Sequence, residues 1–247
     1  MLFRSAITRK PGVRYSVLTP NLKGFEAAIA APRAQWPDEI VVFGAASEAF
    51  SQKNINCSIA ESIERFAPVV AAAHAAGVKV RGAISCTLGC PYQGEVPIES
   101  VVDCVQRFAD LGCDDIGIAD TIGVGTPART AAVFEAAARA YPLAQISGHF
   151  HDTYGMAIAN ICAALALGVA TFDTSIAGLG GCPYAQGASG NVATEDVVYL
   201  LDGLGIQTGV VLATLLEASA FTAQILQRPP QSKVARALLA RAKSPTA

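Results

Sequence analysis

Two of the three histidines in the chain, His149 and His151, stand two residues apart in Gly148-His-Phe-His-Asp-Thr-Tyr-Gly155. On a β-strand, side chains at that spacing leave the same face, about 6.6 Å apart along the backbone. Two imidazoles so placed can converge on one divalent metal, or they can be a hydrogen-bonded pair inside a core. Their place at the C-terminal end of an apolar strand favours ligation. Asp152 could orient one imidazole from behind, or cap the helix that follows. The third histidine, His74, lies among alanines in a helical stretch and reads as structural.

A second group is Gly178-Leu-Gly-Gly-Cys-Pro-Tyr-Ala-Gln-Gly-Ala-Ser-Gly-Asn191. Five glycines in these fourteen residues make a loop that can close over a ligand. Cys182 at its centre is placed to meet substrate; the plain alternative is a flexible turn with an incidental thiol. Asn191 could offer its carbonyl oxygen to a hard divalent ion, or it could cap the helix beginning beside Thr194 and Glu195. Asp120, in Ile118-Ala-Asp-Thr-Ile-Gly123, is a carboxylate at another strand end. It suits positioning of a catalytic group or substrate, and equally a helix-start cap.

Elements must hold these groups. Strand-like runs at Tyr15–Leu18, Glu39–Phe43, Val78–Ser85, Asp115–Ala119, Ile146–Phe150 and Thr171–Ile176 alternate with helical stretches near 22–31, 58–76, 97–111, 128–140 and 155–167. Gly77, Gly112 and Gly168 stand where helices should stop. Regular βα alternation predicts a parallel sheet. Polar residues cluster after strand ends, as in a (β/α)8 barrel. The competing open doubly wound sheet lacks its glycine-rich nucleotide turn after the first strand. Six strands are visible where a barrel needs eight. Helices near 194–203 and 209–226 follow, and then a basic tail, 229–247.

With 247 residues the chain can form one large domain with a full core. Hydrophobic residues make up 52% and charged residues 15%, which excludes a disordered chain. A net charge of -2 points away from nucleic acid and anionic membranes as partners. No apolar stretch approaches the roughly 20 residues of a spanning helix. Seven scattered cysteines suit a reduced intracellular chain better than a disulfide framework. Cys86 and Cys90 lack the second pair a zinc site would need.

Taken together these stretches resemble 3-hydroxy-3-methylglutaryl-CoA lyase. The resemblance rests on Val17-Leu-Thr-Pro-Asn-Leu-Lys-Gly-Phe-Glu26, Phe43-Gly-Ala-Ala-Ser47, Lys53-Asn-Ile-Asn-Cys-Ser58, Ser85-Cys-Thr-Leu-Gly-Cys-Pro-Tyr92, Asp120-Thr-Ile-Gly-Val-Gly-Thr-Pro127, 149–155 and 178–191. It implies a TIM barrel of the metal-dependent lyase and aldolase superfamily. The implied reaction is cleavage of an acyl-CoA substrate to acetyl-CoA and acetoacetate with Mg2+ or Mn2+, as in leucine degradation. It implies no organic cofactor beyond the CoA thioester. His149, His151 and Asn191 become metal ligands; Cys182, Asp120 and His149 become catalytic; Lys53 and Asn54 are candidates for meeting a CoA phosphate. Histidine ligands alone would also accept Zn2+. A homodimer and a cytoplasmic, bacterial-type location, or else a mitochondrial one, follow as expectations. Related pyruvate-carboxyltransferase-like aldolases or acyl-CoA synthases share the His-x-His strand, and a non-catalytic binding protein is a further alternative.

One departure is large. The family's first strand carries an Arg-Asp pair and its next βα unit a glutamate, and neither appears before Gly12. The expectation is a barrel lacking its first two βα units, with residues 1–11 as a non-native or linker start and 12–228 as a partial barrel. Such a chain is expected to be inactive alone and prone to aggregate through unpaired edges.

Overall fold

Short apolar runs build one parallel sheet, and Gly77, Gly112 and Gly168, all at positive φ, follow the ends of three of the helices packed on it. The computed structural model describes residues 7–181 and 190–243. Six strands, β1 (Ser16–Leu18), β2 (Glu39–Ala45), β3 (Lys79–Ser85), β4 (Asp115–Asp120), β5 (Ile146–Phe150) and β6 (Thr171–Asp173), pair in parallel in the order of the chain. The helices are α1 (Leu22–Ile29), α2 (Glu48–Ile55), α3 (Ile59–Ala75), α4 (Ile98–Asp110), α5 (Pro127–Ala140) and α6 (Ala157–Leu167), followed by α7 (Thr194–Gly203), α8 (Leu212–Leu226) and α9 (Lys233–Lys243). All six expected strands are present.

The two sheet faces differ in chemistry. On one, Ile40, Val42, Val80, Ile84, Ile116, Ile118, Ile146 and Phe150 are buried in a single core with the inner sides of α3 to α6. Gly82 shows how closely the layers meet: a Cβ there would come 2.3 Å from the ring of Phe108 on α4. The other face carries Glu39, Arg81, Asp115, Ser147, His149 and Asp173.

Strand order and side-chain reach together decide the architecture. A doubly wound sheet reverses its order at a switch point, whereas β1 to β6 run in one direction. The Arg81 guanidinium on β3 bonds Asp173 on β6, at 2.8 Å to each carboxylate oxygen. Arg14, just before β1, reaches Glu39 on β2 at 2.9 Å and Asp115 on β4 at 3.5 Å. In a flat sheet, strands three places apart would stand about 14 Å from each other. Bridging that span twice, on the same polar face, requires the sheet to curl around it. The result is a TIM-barrel-type fold, seen here as six strands of a curved parallel wall.

Three segments differ from the sequence reading. The strand expected over Thr171–Ile176 ends at Asp173, because the buried Glu195 carboxylate takes the Ala177 N–H at 2.9 and 3.1 Å and draws it into a tight turn at φ 57°. Residues 48–55 form α2, started by Ser47 accepting from Phe50 N and stopped by Asn56 at φ 51°. The basic stretch after residue 229 contains α9, whose first amides, those of Lys233 and Val234, are taken by Asp196 of α7. No helix among the described residues is long and apolar enough to cross a membrane.

Candidate metal site

β5 delivers the histidine pair. His149 lies within the strand, in register with Ala119 of β4 and Asp173 of β6. His151 lies one step past its end, in an antiparallel bridge with Asn191. The two ring centroids are 5.3 Å apart. The pair therefore shares one side of the sheet, as the spacing requires.

Their surroundings are unequal. His149 Nδ1 is 3.2 Å from Asp173 Oδ2. His151 is 6% exposed, and its Nδ1 is buried with no hydrogen-bond partner. Burial, and then the nearby His149, push the His151 imidazole down to about 4, while the Asn191 side chain pulls weakly the other way. Asn191 Nδ2 donates to Leu179 O at 2.9 Å, and its Oδ1 is buried without a partner. Buried polar atoms are nearly always paired; these two side chains can satisfy each other, the contact that pulls His151 upward, or a divalent cation can satisfy both. Two imidazoles and an amide oxygen are ordinary donors for such an ion. Among the described residues no group of three His, Cys, Asp or Glu side chains could hold a metal. The donor set thus fits, without a carboxylate.

Asp173 is occupied elsewhere. Burial would raise its carboxyl, but the His149 hydrogen bond and the paired Arg81 bonds outweigh that and hold it at about 2. Asp120, at the end of β4, is fully buried and turns into the loop beyond its strand. Its two oxygens accept from Val124 N at 3.1 Å and Gly125 N at 2.8 Å. Burial raises this carboxyl to about 6, against the pull of those amides and of His149.

The HMGL-like family model matches residues 5–222. The chain belongs to the HMGL-like family. It is 55% identical over 231 residues to the mitochondrial hydroxymethylglutaryl-CoA lyase of Homo sapiens, covering 94% of this chain and 70% of that one. It is 52% identical over 238 residues to a 3-hydroxy-3-isohexenylglutaryl-CoA/hydroxy-methylglutaryl-CoA lyase of Pseudomonas aeruginosa, covering 96% and 78%. The crystal structure of hydroxymethylglutaryl-CoA lyase from P. aeruginosa superposes with a TM-score of 0.92 at 52% identity over 96% of this chain and 78% of that one. An HMG-CoA lyase from Acinetobacter baumannii, solved with coenzyme A and 3-methylmalate, gives 0.88 at 31% identity, covering 95% and 75%.

In this HMGL-like chain the other expected residues fall as follows. Cys182 lies outside the described residues. The stems of its loop are described: Asn191 ties back to Leu179, and Gly190 O accepts from Asp152 N at 3.3 Å. Both stems therefore start beside His151. Asp152 Oδ1 accepts from Ala157 N at 3.0 Å, so it caps α6 and does not orient a histidine. Lys53 and Asn54 lie in the last turn of α2, and not in a loop after a strand; Lys53 is exposed. His74 closes α3, with Nε2 3.4 Å from Asp114. Sequence reasoning passed over Arg81, Ser147 and Asp173. Their only local signal is a polar residue at alternate positions of an otherwise apolar strand.

Proposed function

We propose that the chain is a hydroxymethylglutaryl-CoA lyase, cleaving 3-hydroxy-3-methylglutaryl-CoA to acetyl-CoA and acetoacetate at a divalent-metal site. The observation that carries the reading is the pair of orphaned buried atoms, His151 Nδ1 and Asn191 Oδ1, beside His149 at the strand ends of a chain from a family of lyases. His149, His151 and Asn191 would hold Mg2+ or Mn2+, which would supply polarisation of the substrate hydroxyl and carboxylate oxygens.

The chain's own groups take the remaining roles. Loss of the tertiary hydroxyl proton to a base lets the C–C bond break, and the electron pair passes to the acetyl-CoA enolate, which must gain a proton. Cys182 is assigned that protonation. Because Nδ1 faces Asp173, only Nε2 of His149 is free, and its one lone pair can serve the metal or a proton but not both at once. Asp120 shapes the loop after β4 beside this site, and Lys53 and Asn54 are carried as CoA contacts on α2. We propose further that the six strands belong to an eight-stranded barrel in which other strands would supply an acidic ligand, a reading that the one-directional strand order supports. A homodimer is supported by exposed apolar residues of α8, among them Phe221 and Ile225.

The assay is release of acetoacetate from 3-hydroxy-3-methylglutaryl-CoA and its isohexenyl analogue with Mn2+. It is run on the 247-residue chain and on a form extended by any in-frame upstream coding sequence. Turnover by the extended form, lost in His151→Ala and Cys182→Ala, is the expected result. Turnover that survives both substitutions, or cleavage of neither substrate by that form, would overturn the reading.

A further inference from the structure

A hydrogen-bonded chain crosses the concave face from β3 to the metal-site histidine, and nothing in the assigned roles uses it. Arg81 Nη1 and Nη2 each donate to one oxygen of Asp173 at 2.8 Å, and Nη2 also donates to Ser147 Oγ at 2.8 Å. Asp173 Oδ2 in turn faces His149 Nδ1 at 3.2 Å. The path over β4 is built for this crossing. A Cβ on Gly117 would stand 2.9 Å from Arg81 Nη2 and 3.3 Å from Ser147 Oγ. A forked, two-point pair with arginine fixes a carboxylate in orientation as well as in place. Arg81 is largely buried, although Asp173 keeps 36% of its side chain exposed, so the arginine side of the pair is the one shielded from solvent.

Chemistry then decides the state of the ring. A carboxylate engaged by two guanidinium N–H groups has only acceptor capacity left to offer. The nitrogen facing it, Nδ1, must carry the hydrogen, and in the neutral ring that ligates a metal Nε2 then carries the lone pair. We propose that Asp173, braced by Arg81, is a positioning residue that fixes the tautomer and ring plane of His149 and presents Nε2 as the ligand nitrogen. This rests on the metal-site reading above. His151, by contrast, has a buried Nδ1 with no such partner, so the two imidazoles are prepared differently. Carboxylates behind ligand histidines typically change metal affinity about 10- to 100-fold.

The test uses the whole 247-residue chain, with histidine ring nitrogens read by two-bond 15N NMR and Mn2+ binding read by electron paramagnetic resonance. In Asp173→Asn one acceptor becomes a donor, so one Arg81 N–H faces a donor in either amide orientation, and His149 Nδ1 does so as well when the nitrogen takes the Oδ2 place. In Arg81→Met/Asp173→Ala both charges leave together, which avoids a stranded buried charge if the single variant folds poorly. Wild type is expected to show His149 as the Nδ1–H tautomer. Both variants should show a growing Nε2–H population and Mn2+ affinity lower by about 10- to 100-fold. An Nε2–H tautomer in the wild type would overturn the proposal. So would lowered Mn2+ affinity in folded variants whose His149 tautomer is unchanged. A wild type with the Nδ1–H tautomer and no Mn2+ binding, either in this chain or in the extended form, would sink the metal reading while leaving the positioning of His149 by Asp173 standing.

Discussion

His151 and Asp120 are buried side chains with opposite electrostatic faults, and their titrations run against each other. The folded chain depresses His151 from 6.5 to about 4, so between those values the unfolded chain holds more protons and stability rises with pH. It raises Asp120 from 3.8 to about 6, so there the folded chain holds more protons and stability falls as pH rises. Each shift corresponds to roughly 3 kcal/mol between its end points. In the wild type the two slopes largely cancel between pH 4 and 6. Removing Asp120 as Asp120→Asn should leave the His151 slope exposed. The stability of that variant relative to wild type is then expected to climb by about 3 kcal/mol from pH 4 to 6. His151→Phe should do the reverse, and should also abolish any rise in melting temperature on adding Mn2+. Urea midpoints at half-unit pH steps measure both; parallel profiles for wild type and the two variants would refute the assignment.

At the scale of elements, the helix added after residue 229 is capped by one residue of another helix. Asp196 Oδ1 accepts from Ser232 Oγ at 2.7 Å and Val234 N at 2.9 Å, and Ser232 Oγ accepts from Ala235 N at 2.9 Å. Loss of such a cap costs about 0.5–2 kcal/mol, and loss of bonds to a charged acceptor adds to it. Asp196→Ala is expected to lower stability by about 2 kcal/mol and to make Lys233 and Arg236 the first sites of tryptic cleavage. First cuts elsewhere would show that α9 is held by other contacts. That cap was illegible because its two halves lie 36 residues apart in sequence. α2 was missed for a different reason: it buries only Phe50 and Ser51, too little to write a helical period. The strands were legible as short apolar runs set between helical stretches. The histidine pair was legible because strand geometry alone sets its spacing. Arg81 and Asp173 were not, because only the curl of the sheet brings β3 to β6. For Asp120 and Asp152 the sequence held two roles open, and their backbone partners show how each side chain is used in the fold.

Over the whole molecule, stability should be distributed as the curved wall is. β3 and β4 each pair on both sides and back onto side chains with almost no exposure, such as Ile84, Ile116 and Ile118. β1 and β6 are three residues long, and among the described residues each pairs on one side only. Leu18 at the end of β1 is 65% exposed, so little apolar burial opposes its opening. Amide exchange reports such local opening, from near zero free energy at frayed edges up to the global value in the core. Protection is expected to peak in β3 and β4, remain high in β2 and β5, and fall by at least about two orders of magnitude in β1 and β6. The ion pairs from Arg81 and Arg14 cross the concave face without adding backbone bonds to the edges, so they should not erase this gradient. Arg81→Met should nonetheless lower protection in β6 more than in β1, since its carboxylate partner sits on β6. If β1 and β6 instead exchange as slowly as β4, their outer edges are covered by other strands. Sedimentation would then tell self-pairing between chains from closure within one.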